Sequence, residues 1–211
     1  VIYRVFDKSP AAKAGLKAGD IITAYNGKSM KGKTTSEFVS EAQKNQKQKS
    51  TITYIREGQE KTVTINMENV NLKSVSSKTF EENDKKVGYI GVSIFANNTY
   101  NQFKPALDKL EKEKINSLII DLRSNSGGYL STAEKMLSLF LDSSHPIYQI
   151  QKDGKSTKYY SLGTKTKKYK IIVLVDENSA SASEVTASAL KEQYGATIIG
   201  RKTYGKGTVQ E

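Results

Sequence analysis

Residues 177–185 read Glu-Asn-Ser-Ala-Ser-Ala-Ser-Glu-Val. Three serines, Ser179, Ser181 and Ser183, alternate with alanines just after an apolar run and just before a helical pattern. A serine at a helix mouth lies beside N–H groups that have no partner within the helix, and near the positive end of its dipole. That setting suits both an attacking hydroxyl and the oxyanion it generates. The hydroxyl still needs a base to take its proton. The only histidine, His145, stands in Ser-Ser-His-Pro-Ile-Tyr and reads as a surface loop residue. Lysine is the other base known to serve a serine. A free lysine titrates near 10.4, so a lysine base at neutral pH needs roughly 4–5 kcal/mol of differential interaction. Burial and a nearby positive helix end act in that direction. Most lysines here lie in charged stretches, such as Lys-Leu-Glu-Lys-Glu-Lys at 109–114. Lys206 is different: Gly205 and Gly207 flank it, shortly after an apolar run.

A second small-residue loop, Ser-Asn-Ser-Gly-Gly at 124–128, also joins an apolar run to a helical pattern. Paired glycines let backbone N–H groups approach a ligand with no Cβ in the way. In parallel α/β sheets such loops gather at the carboxyl ends of the strands, where ligands bind. The Gly200-x4-Gly205-Lys206 spacing resembles a phosphate loop, but Gly207 replaces the Ser/Thr that would hold magnesium. The following Thr-Val-Gln also looks extended rather than helical.

Two units must position these residues. In the first, residues 1–6 alternate like a strand. A short helix follows near residues 9–20, with Ser9 as cap, Pro10 at its first position and Gly15 as stop. Residues 21–27 form a strand ending in Asn-Gly, residues 35–44 a helix, and residues 51–67 a hairpin. The polar stretch 68–86 reads as a linker. Beyond it, apolar strands at 87–95, 117–123, 170–176 and 196–200 alternate with helices near 99–112, 129–141 and from the serine stretch to 194. This pattern predicts an α/β layer with a largely parallel sheet. The tyrosine-rich region 146–168 reads as a peripheral hairpin.

The chain has 211 residues, 36% hydrophobic and 26% charged, enough for a packed core in one large or two smaller domains. No apolar run is long enough to span a bilayer. The formal charge of +11 comes from lysines interspersed with acids, a solvated surface with no nucleic-acid signature. The absence of cysteine excludes disulfides and thiol chemistry.

Taken in order, Ser-Leu-Ile-Ile-Asp-Leu-Arg-Ser-Asn-Ser-Gly-Gly-Tyr-Leu, Val-Leu-Val-Asp-Glu-Asn-Ser-Ala-Ser-Ala-Ser-Glu-Val and Ile-Ile-Gly-Arg-Lys-Thr-Tyr-Gly-Lys-Gly-Thr-Val-Gln resemble the carboxyl-terminal processing peptidases, or tail-specific serine proteases. Ser-Pro-Ala-Ala-Lys-Ala-Gly-Leu-Lys-Ala-Gly-Asp-Ile-Ile-Thr-Ala-Tyr-Asn-Gly resembles the latter part of a PDZ domain. The resemblance implies a partial PDZ domain over 1–67, a linker over 68–86, and an α/β catalytic core over 87–211 with crotonase/Clp-like layers. It places the carboxylate-binding loop of the PDZ domain before Val1 and the end of the core after Glu211. It implies Ser181 as nucleophile, Lys206 as general base 25 positions later, and Gln210 to orient the amine. Gly127, Gly128 and the N–H of Ala182 would form the oxyanion hole. Phe38 and Val39 would wall a peptide groove, with core packing as the competing role. Glu184 and Asp121 read as structural acids. No metal or cofactor is implied. The expected partners are polypeptides presented by their C-terminal tails, with no nucleic acid. The resemblance is compatible with a membrane-anchored parent, a homo-oligomer and action in a bacterial cell envelope. The alternative reading is a non-catalytic PDZ adaptor or an inactive relic of the protease.

Overall fold

The computed structural model describes residues 1–44, 49–66, 68, 71–164, 166–167 and 169–208. Residues 1–72 and 73–211 form two compact units.

The first unit opens without the strand expected over 1–6. Instead Ile2 exchanges two backbone bonds with the turn ahead, donating to Asp20 and accepting from Gly19. Helix α1 (Pro10–Lys13) is shorter than expected. The Ser9 side chain caps it, and Gly15, at φ 82, follows its end. Strands β1 (Ile21–Tyr25) and β2 (Lys28–Ser29) flank the Asn26-Gly27 turn, helix α2 (Thr35–Lys44) follows, and β3 (Lys49–Arg56) and β4 (Gln59–Asn66) form the hairpin. The sheet order is β2-β1-β3-β4. Leu16, Tyr25, Met30, Ile52, Tyr54 and Ile65 make its core. At one end Asp20, nearly fully buried, takes two bonds of 2.7 Å from the Arg56 guanidinium.

The second unit contains β5 (Val75–Glu82), β6 (Lys85–Val92), α3 (Thr99–Lys112), β7 (Ser117–Asp121), α4 (Leu130–Leu137), β8 (Pro146–Lys152), β9 (Lys155–Tyr160), β10 (Lys170–Val175), α5 (Ala182–Ala189), a π turn (Leu190–Tyr194) and β11 (Thr197–Gly200). Strand β5 corrects the reading of 68–86 as a linker. It pairs antiparallel with β6 through eight residue pairs. Its polarity is that of an edge strand, which native sheets protect with charged side chains. The main sheet runs β11-β10-β7-β6-β5. All its neighbours are parallel except the β5–β6 pair. The peripheral hairpin is β8–β9.

Ile90, Leu118, Ile120 and Val173 turn one sheet face inward. Phe103, Leu107 and Leu110, spaced for one side of α3, and Ala133, Met136 and Leu137 of α4 belong to the same cluster. Burial alternates along β7 and β10, so only one face of each strand is sealed. No helix among the described residues is long and apolar enough to cross a membrane. Phe103 is fully buried and meets Phe140 edge-on, with ring centroids 6.0 Å apart. Phe103→Ala should therefore lower the stability of this unit by about 3–5 kcal/mol, read as a shift in denaturant midpoint at unchanged slope.

Candidate active site

Three loops leave the carboxyl ends of neighbouring parallel strands: 122–129 after β7, 176–181 after β10, and 201–208 after β11. Each candidate residue of the second unit that is described, namely Gly127, Gly128, Ser181, Ala182 and Lys206, sits on one of them or on the first turn of α5.

The structure separates the three serines. Ser179 and Ser183 are fully buried and their hydroxyls are engaged. Ser179 Oγ donates to Leu122 O (2.8 Å), and Ser183 Oγ donates to Asn125 O (2.8 Å). Ser181, at the mouth of α5, is half-buried and adopts φ 55, ψ −117. A non-glycine residue held there stores about 1–3 kcal/mol of strain, a recurring feature of functional positions. Ala182 begins the helix, and its N–H has no acceptor among the described residues.

The glycine turn packs directly on this serine. A Cβ on Gly127 would lie 2.8 Å from Ser181 Cβ and 3.0 Å from Ala182 N. Gly127 and Gly128 both have positive φ, 100 and 138. Their N–H groups differ: Gly127 donates to Asn125 Oδ1 (2.9 Å), whereas Gly128 has no acceptor among the described residues. Of the three expected donors, Gly128 and Ala182 are therefore the two whose N–H groups have no acceptor among the described residues.

Glu184 joins the loops that carry Ser181 and Lys206. Its Oε2 accepts the Ser181 N–H (2.8 Å) and the Lys206 N–H (2.9 Å), and its Oε1 accepts the Gly205 N–H (2.6 Å) and the Thr203 hydroxyl (2.8 Å). One carboxylate oxygen thus separates the backbone nitrogens of the two residues. Tyr204 N–H adds a bond to Ser179 O (3.0 Å). Lys206 is half-buried rather than dry, and a Cβ on Gly205 or Gly207 would meet only open space. No described residue bonds its amine. Gln210 lies outside the described residues.

Asp176 ties the serine loop to the loop of the glycine turn. It accepts Ser124 N–H (2.8 Å), Ser124 Oγ (3.1 Å) and Asn178 N–H (3.0 Å). His145 instead bonds Asp142 (3.0 Å) and Ser144 (3.3 Å), neither of them on the serine loop. Asp121 accepts from Arg123 and Tyr89. Phe38 packs on the first unit's core, edge-on to Tyr25 at 5.6 Å, while Val39 is exposed. Asn125, Asp176 and Thr203 carried no sequence signal. Glu184 showed one, since Ser181-x-x-Glu184 has the form of a capping box, but its reach to residues 203–206 did not show.

The sequence profile of peptidase family S41 matches residues 86–211, and that of the PDZ domain matches residues 1–67. The chain belongs to peptidase family S41. It is 37% identical over 214 residues to the carboxy-terminal processing protease CtpB of Bacillus subtilis, covering all of this chain and 45% of that protein. It is 39% identical over 206 residues to a protein of Staphylococcus aureus (strain COL) described as a CtpA-like serine protease, covering 96% of this chain and 40% of that protein. The solved photosystem II D1 C-terminal processing protease matches with a TM-score of 0.69 at 25% identity, over all of this chain and 58% of that one. The chain thus spans less than half the length of these two sequence relatives.

Burial works against charge on Glu184, but the Thr203 hydroxyl and the N–H groups of Gly205, Ser181 and Lys206 outweigh it. They hold the carboxyl below the ordinary glutamate range. A lowered native value means that the stabilisation is complete above the ordinary value, near 4.3, and fades as pH falls through the native one. The Tm gap between wild type and Glu184→Gln should accordingly be constant at neutral pH and shrink only in acid.

Proposed function

We propose that the protein is a serine endopeptidase that cleaves polypeptides near their carboxyl ends by acyl transfer. Ser181 is the nucleophile, Lys206 the general base, and Gln210 the residue that orients the amine. The Lys206 amine takes the Oγ proton as the Oγ–C bond forms. The carbonyl π electrons move onto oxygen, where the N–H groups of Gly128 and Ala182 hold the charge. Collapse breaks the C–N bond, and Lys206 passes its proton to the leaving amine. Water then repeats the sequence on the acyl-enzyme and frees Ser181. Each oxyanion donor contributes about 2.7–4 kcal/mol to such a step.

One observation carries the reading: a single Glu184 oxygen accepts the backbone N–H of both Ser181 and Lys206. It supports the reading because it holds the backbones of a strained, helix-mouth serine and of Lys206 on one carboxylate oxygen. Membership of family S41 and the names of the relatives support the same reaction class. The PDZ-like unit selects or gates the substrate, on the general ability of PDZ domains to add an extended peptide as a strand. Action in the cell envelope of a bacterium rests on the family resemblance.

A fluorophosphonate probe should modify Ser181 in the full-length protein and leave Ser181→Ala unmodified. Lys206→Ala should cut kcat by at least about 10⁴-fold. Cleavage at the wild-type rate by Lys206→Ala would overturn the mechanism.

A further inference from the structure

The two donors with no acceptor among the described residues, Gly128 and Ala182, stand on the glycine turn and at the first residue of α5, outside any strand or helix interior. Something must fix which way the Gly127-Gly128 peptide faces, because two glycines place little restriction on their own torsions. Part of the answer is a single parallel bridge between Phe95 and Gly128. Phe95 N–H donates to Gly127 O (2.8 Å), and Tyr129 N–H donates to Phe95 O (2.8 Å). In parallel pairing the bonds to the partner come from the residues on either side, so the bridged residue turns its own N–H away. A Cβ at Gly128 would sit 2.3 Å from Phe95 O, so this approach requires glycine.

The other part is Asn125, which is fully buried. Its Oδ1 accepts the Gly127 N–H (2.9 Å), and its Nδ2 donates to Val92 O (2.8 Å) at the end of β6. The amide can face only one way, since an N–H needs the oxygen and a C=O needs the nitrogen. Its backbone oxygen meanwhile accepts Ala180 N–H (3.1 Å) and Ser183 Oγ (2.8 Å) from the serine loop. One buried residue thus joins a core strand, the glycine turn and the loop of the nucleophile.

We propose that Asn125 is the positioning residue of the oxyanion hole. By occupying the Gly127 N–H and anchoring itself on Val92, its side chain leaves the Gly128 N–H as the donor that works with Ala182. This rests on the reading of Ser181 as nucleophile, and its consequence is specific. Loss of the side chain removes stabilisation of the tetrahedral state and leaves ground-state peptide binding in place.

The test uses the full-length protein and two ligands that share the acyl-side sequence of a cleaved test protein. One is a peptide aldehyde, to whose carbon Ser181 Oγ adds, giving a hemiacetal oxygen in the oxyanion site. The other is the corresponding alcohol, which forms no adduct. The ratio of their inhibition constants reports the hole; a general loss of packing would weaken both ligands together. In Asn125→Ala the aldehyde preference and kcat should each fall, by roughly 100-fold for loss of one donor, with alcohol affinity and KM within about twofold. Asn125→Asp keeps an acceptor for Gly127 and should lose less; if the alanine variant does not fold, a fall in the aspartate variant still supports the proposal. An unchanged preference in either folded variant, or equal weakening of aldehyde and alcohol, overturns it. A wild-type protein with no aldehyde preference would instead overturn the reading of Ser181 on which the proposal stands.

Discussion

Residues carried on separate loops must be held in register by something other than the chain that connects them. Ser181 and Lys206 are separated by α5, the π turn and β11, and no regular ladder runs between their loops. The Glu184 carboxylate supplies the link, with four accepted hydrogen bonds that reach both residues. Hydrogen bonds to a charged group contribute about 1.5–3 kcal/mol each. Several of them outweigh the strain of about 1–3 kcal/mol at Ser181. The strained turn persists because this bracing over-determines it, and the turn in turn sets the serine at the helix mouth.

The other braces follow the same logic on the opposite side of the serine. Asp176 and Asn125 tie the glycine turn to the serine loop, and Ser179 and Ser183 contribute their hydroxyls. Two of the three alternating serines therefore spend their hydroxyls on backbone carbonyls of the β7 loop, and the middle one is the proposed nucleophile. Beneath them the parallel strands β7 and β10 end side by side, with Leu174 opposite Asp121 in register. The strand ends set the loop origins, the polar braces set the loop tips, and the apolar face against α3 and α4 keeps both in place.

Much of this was legible in the sequence because it is periodic or local. The alternation of apolar runs with helical patterns revealed the parallel sheet, and the small-residue loops marked the carboxyl ends of β7 and β10. Strand β5 was hidden, since an exposed edge strand has the composition of a linker. Residues 1–6 alternate like a strand yet enter no ladder: Ile2 bonds Asp20 and Gly19, and Phe6 O accepts the Ser9 N–H, so the alternation found no strand to pair with. Asn125 and Asp176 looked like ordinary loop polars, because their importance lies in long-range partners that no local spacing encodes. Glu184 looked like a helix-start acid, which it is, but three of its four carboxylate bonds go to residues about twenty positions away.

Residue-level hydrogen exchange on Glu184→Ala tests the central bracing most directly. The account predicts that the amides of Ser181, Gly205 and Lys206 lose protection together, while those within β7 and β10 keep theirs. Retained protection at Ser181 and Lys206, or a uniform loss across the whole unit, would contradict it.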